Sequence, residues 1–131
     1  MRVFVVDDSR IVRERLVGML SEIDGIEVVG EAGNAQSAMS AIDDVNPDMV
    51  ILETHLQGDM NGVSFLKKLK QDCPARLVLM LTSYPYKQYR KRCVEAGADY
   101  FFDKSREFES VAVLLSRLAQ GGAAAGPDLN R

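Results

Sequence analysis

Histidine is almost missing from this chain, and cysteine is scarce: His55 is the one imidazole, and Cys73 and Cys93 are the two thiols. The thiols lie far apart and form no CxxC or zinc spacing, so a nitrogen- and sulfur-rich metal site is not expected while an oxygen-ligand site stays open. Thiols so placed read as reduced, as in a cytoplasm. No apolar stretch approaches the ~20 residues of a membrane span, and no long apolar h-region marks a signal peptide, so a cytoplasmic protein without membrane contact is expected. Positive charge is not in surplus, with 16 Lys and Arg against 19 Asp and Glu and a net charge of −3, which argues against direct nucleic-acid binding. No internal repeat and no second domain are found.

The sequence does offer ordinary globular composition, 47% hydrophobic and 27% charged. Its 131 residues suit one domain that buries about two thirds of its unfolded surface. Val3-Phe4-Val5-Val6 ends a first strand over residues 2–6. Ser9 can cap a helix whose apolar stripe is Val12, Leu16, Met19, Leu20 and Ile23, with Arg10, Arg13, Glu14 and Arg15 on the wet side. Gly25 breaks that helix, and residues 26–29 read as a second strand. Asn34 caps a second helix with Ala38, Met39 and Ile42 inward, and Asn46-Pro47-Asp48 signals a turn. Met49-Val50-Ile51-Leu52 runs to Glu53, and Asn61 caps a third helix with Val63, Leu66 and Leu69 on one face. Cys73-Pro74 stops it. A fourth strand spans residues 76–82, and Pro85 suits the first turn of a fourth helix that Gly97 ends. Residues 99–102 form a short fifth strand. Ser105 can cap a last helix with Phe108, Val111, Ala112, Leu115, Leu118 and Ala119 inward. The alternation predicts an α/β fold with right-handed crossovers, its central strands parallel and covered on both faces. Residues 121–131 read as a flexible Gly/Ala-rich tail.

Five polar groups end different strands. Asp7 and Asp8 close the first apolar run, Glu53 the third and Thr82 the fourth, while Lys104 follows the last. Ligands of open α/β sheets bind outside the carboxyl ends of the strands. Carboxylates gathered there raise one another's pKa unless a cation neutralises them, and oxygen ligands with water suit Mg²⁺. Lys104 adds a point charge for an anion and Thr82 a hydroxyl donor, so the set describes a site for a phosphoryl group. Each residue alone has a plainer reading as a turn, a cap or a solvated side chain. Their joint occurrence at separate strand ends carries the weight.

The residues Val-Asp-Asp-Ser (6–9), Met49 to Leu52 with its acidic end, Asn61-Gly62, Leu81-Thr82-Ser83 and Gly-Ala-Asp-Tyr-Phe-Phe-Asp-Lys-Ser (97–105) resemble the receiver domains of two-component response regulators. The resemblance covers residues 1–120. It implies a doubly wound, flavodoxin-like sheet of order 2-1-3-4-5 with helices on both faces, acting as a phosphorylation switch in a phosphorelay. It implies Mg²⁺ at Asp8, Asp7, position 53 and the backbone carbonyl of His55. Thr82 matches the switch hydroxyl, Lys104 the phosphate-binding lysine, and Phe101 the aromatic that turns inward when Thr82 is drawn to the phosphoryl group. Implied partners are a histidine kinase or phosphotransfer protein, a downstream effector protein or domain, and a second copy through the face of the fourth helix, fifth strand and fifth helix. On that face Lys87, Tyr89, Arg90 and Phe101 are candidates. The chain is expected to be no enzyme, and to be either a stand-alone receiver or one cut at its Gly/Ala linker.

The sequence departs from the pattern at its centre, where Glu53 stands in place of the family's phosphoacceptor Asp. The extra methylene adds about 1.5 Å of reach. Its charge of −1 falls short of the −1.5 to −2 of a phosphoryl group. Three origins are open: an introduced phosphomimetic change, a natural receiver that no longer uses phosphorylation, or a true glutamyl acceptor. The loop after Glu53 is one residue longer than the common form, Gln57 replaces a frequent proline, and Ser105 replaces the proline after Lys104. His55 and Tyr84 occupy rim positions and are bulky enough to shield a phosphoryl group. An Mg²⁺ phosphohydrolase of the aspartyl-phosphate kind is the alternative, but Asp7-Asp8-Ser9 lacks the Asp-x-Asp spacing. A flavodoxin-like cofactor carrier would need a neutral loop where this one is acidic.

Overall fold

The computed structural model describes residues 1–56, 58, 60–83 and 87–121. Five strands and five helices alternate: β1 (Arg2–Val6), α1 (Arg10–Ser21), β2 (Glu27–Ala32), α2 (Ala35–Val45), β3 (Met49–Glu53), α3 (Gly62–Asp72), β4 (Leu77–Thr82), α4 (Lys87–Glu95), β5 (Tyr100–Asp103) and α5 (Phe108–Ala119). The strands pair in parallel in the order β2-β1-β3-β4-β5, as the resemblance implied. Alternation along each strand divides the core into two layers. Phe4, Val6, Val50, Leu52, Val78, Met80 and Phe101 pack with α2, α3 and α4. Val3, Val5, Met49, Ile51, Leu79, Leu81 and Phe102 pack with α1 and α5. Burial on both faces explains why these strands read as continuous apolar runs.

Three expected caps are in place, each satisfying a backbone N–H that the first turn leaves orphaned. Ser9 accepts from Val12, Asn34 from Ser37 and Asn61 from Ser64. Gly97, at φ 101°, holds the left-handed turn after α4.

The expectations differ from the structure in several places. Strand β2 is longer and later than residues 26–29, because its pairing with β1 continues to Val6 and Ala32. Gly30 lies inside it because the Phe4 ring covers that position, where a Cβ would come 2.6 Å from the ring edge. Ser105 does not cap α5. Its N–H and hydroxyl both donate to Asp103 Oδ1, at 2.9 and 2.7 Å, so the chain makes a further turn and Glu107 precedes the helix. Phe65 and Leu114 are buried besides the stripes expected for α3 and α5. The tail at 122–131, Gln57, Tyr84 and Pro85 lie outside the described residues.

Candidate functional site

Register brings the site together. Val6 pairs with Leu52, so Asp7 and Glu53 leave neighbouring strands side by side. Thr82 pairs with Asp103 across β4 and β5, and the Lys104 N–H donates to the Thr82 carbonyl at 2.7 Å. Lys104 Nζ thereby reaches back across the sheet edge. It donates to Asp7 Oδ2 at 2.6 Å and to Glu53 Oε1 at 2.5 Å. Both carboxylates are almost fully buried, at 1% and 4% exposure. Burial works against the Lys104 ammonium, but its hydrogen bonds to Asp7 and then Glu53, with their charges, outweigh this and raise its pKa.

The remaining oxygens are also held. Asp7 Oδ1 accepts the Ser9 N–H at 2.8 Å. Glu53 Oε2 accepts the Thr54 hydroxyl at 2.9 Å and the His55 N–H at 3.1 Å. Thr54 Oγ1 in turn lies 2.6 Å from Thr82 Oγ1. Gly62 closes the loop beneath: its N–H donates to the Thr54 carbonyl, and a Cβ there would strike the Glu53 and Thr54 backbone, 2.7 Å from Thr54 Cα. Among the described residues every buried side-chain polar atom has a partner.

Asp8 differs from its neighbour in being exposed. Partial desolvation, then the charges of Asp7 and Glu53, raise its pKa. Among the described residues Asp7 and Glu53 ion-pair with the Lys104 ammonium, and Asp8 stands beside them at the same edge. The donor set is all oxygen, which suits a hard divalent cation that keeps several waters. Among the described residues no three His, Cys, Asp or Glu side chains form a ready cage.

Residues 3–115 match the response regulator receiver domain. The chain belongs to that family. This receiver domain is 30% identical over 128 residues to the response regulator protein VraR of Staphylococcus aureus (strain NCTC 8325 / PS 47). The match covers 98% of this chain and 61% of VraR, so the receiver chain spans less than two thirds of that relative's length. The receiver domain also resembles a LuxR-family two-component response regulator from Aurantimonas sp. SI85-9A1, with a TM-score of 0.83 and 27% identity over 98% of this chain and 91% of that one. The isolated REC domain of RcsB from Salmonella enterica serovar Typhimurium, in the presence of phosphomimetic BeF3-, gives a TM-score of 0.85 over 92% of this chain and 89% of that one. At 20% identity it speaks for the fold alone.

Within the receiver fold Asp7, Asp8, Glu53, Thr82 and Lys104 meet at one edge. Phe101 is buried at 5% exposure in the layer facing α4, with the Arg90 guanidinium 5.7 Å from its ring centre. The ring of His55 lies edge-on to Tyr89 of α4, with Nε2 3.2 Å from the hydroxyl. Two contributors escaped the sequence reading. Arg13 is half-buried rather than wet, and its guanidinium donates to the Asp7 carbonyl at 2.6 Å and pairs with Glu31 at 3.2 Å. Its spacing of three from Leu16 and seven from Leu20, on the buried stripe, was the available signal. Thr54 is the other. It follows Glu53 by one residue, so alternation turns it toward the side of Thr82.

Proposed function

We propose that this receiver domain is a phosphorelay switch in which Glu53 stands at the phosphoacceptor position and stands in for the phosphorylated state in part. The observation that carries this is the set of partners on the Glu53 carboxylate. One oxygen takes the Lys104 ammonium; the other takes the Thr54 hydroxyl, which joins Thr82. A phosphoryl group on a shorter Asp would present oxygens to the same lysine and to the same hydroxyl side. Thr82 Oγ1 lies 2.6 Å from the Thr54 hydroxyl that meets Glu53, and Phe101 is buried, the combination an active receiver would have. The imitation is incomplete, since one carboxylate charge lacks the extra oxygens. Carrying a two-state equilibrium fully across takes about 5.5 kcal/mol of differential interaction.

Asp8, Asp7, Glu53 and the His55 carbonyl would hold Mg²⁺, which when bound supplies positive charge against phosphoryl oxygens. The phosphodonor would be a histidine kinase or phosphotransfer protein, and the reader a downstream effector or a second copy of the chain. A cytoplasmic setting fits, since no helix among the described residues is long and apolar enough to cross a membrane. An enzymatic role as a phosphohydrolase is not favoured, because the acid that Asp-x-Asp would supply after β1 is absent from Asp7-Asp8-Ser9.

In-line transfer needs the nucleophile at near-attack distance, and misplacement by 1 Å costs 10²-fold or so. The chain with Glu53 is therefore expected to take no phosphoryl group from acetyl phosphate with Mg²⁺, and Glu53→Asp to gain one by intact mass. An adduct on the Glu53 chain, or none on a folded Glu53→Asp protein, would overturn the assignment.

A further inference from the structure

The Thr54 side chain is buried at 4% exposure, and its hydroxyl meets three groups at once: Glu53 Oε2 at 2.9 Å, Thr82 Oγ1 at 2.6 Å and His55 Nδ1 at 3.2 Å. A hydroxyl has one proton to donate and two lone pairs to accept with. An ionised carboxylate only accepts, so the Thr54 proton belongs to Glu53. The lone pairs then take the Thr82 O–H and an N–H on His55 Nδ1. On a neutral ring this leaves Nε2 as an acceptor, and the Tyr89 hydroxyl 3.2 Å away becomes its donor. Every bond in the chain runs one way, from Tyr89 on α4 through His55 and Thr54 to Glu53, with Thr82 joining at Thr54.

We propose that Thr54 is the positioning residue of the switch, its hydroxyl coupling the group at position 53 to Thr82 and, through His55, to Tyr89 on α4. The inference rests on reading position 53 and Thr82 as acceptor and switch. Direct contact between Glu53 and Thr82 is not needed in this arrangement, because strand alternation sets them on opposite faces of the edge while Thr54 follows Glu53 and faces the Thr82 side. A change at position 53 that withdraws the acceptor oxygen releases the Thr54 proton to turn elsewhere. The order of donors at Thr54 then changes, and with it the tautomer of His55. The imidazole thus reports the state of the acceptor site to α4.

The chain has one histidine, so its ring nitrogens are unambiguous in a ¹⁵N NMR spectrum. At a pH where the ring is neutral, wild type should carry the proton on Nδ1. Thr54→Ser keeps the hydroxyl and should keep that tautomer. Thr54→Val keeps the shape without the hydroxyl, and should shift the tautomer toward Nε2–H and move the Thr82 methyl and Phe101 ring resonances. Tyr89→Phe should weaken the Nδ1–H preference and leave Thr82 in place. A neutral wild-type ring protonated on Nε2 would overturn the relay without recourse to any variant. So would a folded Thr54→Val protein whose Thr82 and Phe101 resonances stay at their wild-type positions. The acetyl phosphate measurement on Glu53→Asp separates the two readings. Phosphoryl uptake there with an inert Thr54→Val loses the relay alone, and no uptake with a responsive Thr54→Val loses the acceptor assignment alone.

Discussion

The two ends of the same sheet treat charge in opposite ways. At the amino end of the strands the charged groups meet nearby polar partners. Lys70 pairs with Asp99 at 3.0 Å, and that carboxylate also accepts the Val78 N–H. The buried Arg76 guanidinium donates to the Pro47 carbonyl and to Asn46 Oδ1, and Asp48 accepts the Arg2 N–H. At the carboxyl end, among the described residues, Asp7 and Glu53 share the Lys104 ammonium, and Asp8 beside them has a raised pKa. One end is closed by polar contacts that tie the strand starts to their loops. The other gathers carboxylates whose mutual repulsion a cation would relieve, which is the charge arrangement the proposed site would use.

The sharpest way to break this contrast is to remove the shared cation. Lys104→Met would leave two buried carboxylates facing each other, and breaking a buried pair this way costs about 3–5 kcal/mol. Urea unfolding at neutral pH should show that loss, and an unchanged midpoint would mean the ammonium is not what holds the edge. Because the folded pKa of Lys104 is raised, its contribution is full below the ordinary ammonium pKa and fades as pH rises through the folded value. The gap between the two proteins should therefore narrow in strong alkali.

A smaller loss is expected at the opposite end. Arg76→Met deprives the Pro47 carbonyl and Asn46 Oδ1 of their donor, worth about 1–3 kcal/mol for buried groups left unsatisfied. Made on the Glu53→Asp background, it should lower the urea midpoint yet leave phosphoryl uptake by intact mass as it was. A loss of uptake would show that the two ends are not separable.

The smallest effect has the opposite sign. A carboxyl whose folded pKa is raised opposes folding once it is ionised, and that opposition vanishes as pH falls below its unfolded pKa. Asp8→Asn should therefore raise the melting temperature at neutral pH in chelator-containing buffer, with the gain disappearing in acid. A drop at neutral pH would mean that Asp8 stabilises the edge. The same variant should lose any Mg²⁺-dependent spectral shift, which sharpens the claim that the gathered carboxylates are there to be used.

Much of this was legible in the chain itself. Apolar runs ending in Asp7, Glu53 and Thr82, caps at Ser9, Asn34 and Asn61, and the left-handed turn at Gly97 follow from local chemistry: strand alternation, orphaned N–H groups and the freedom of a residue without Cβ. These rules act within a few residues, so one chain suffices to apply them. Ser105 misled because its N–H and hydroxyl both donate back to the Asp103 carboxylate and the helix starts only at Phe108, and β2 because Gly30 and Glu31 are poor strand residues kept there by pairing with β1. Arg13 on the Asp7 carbonyl, Thr54 between Glu53 and Thr82, and His55 against Tyr89 belong to tertiary structure alone. Alternation says which face a residue takes, but only the register between strands and the seating of α1 and α4 decide which side chains meet across that edge, and a hydrogen bond depends on tenths of an ångström that no local rule transmits.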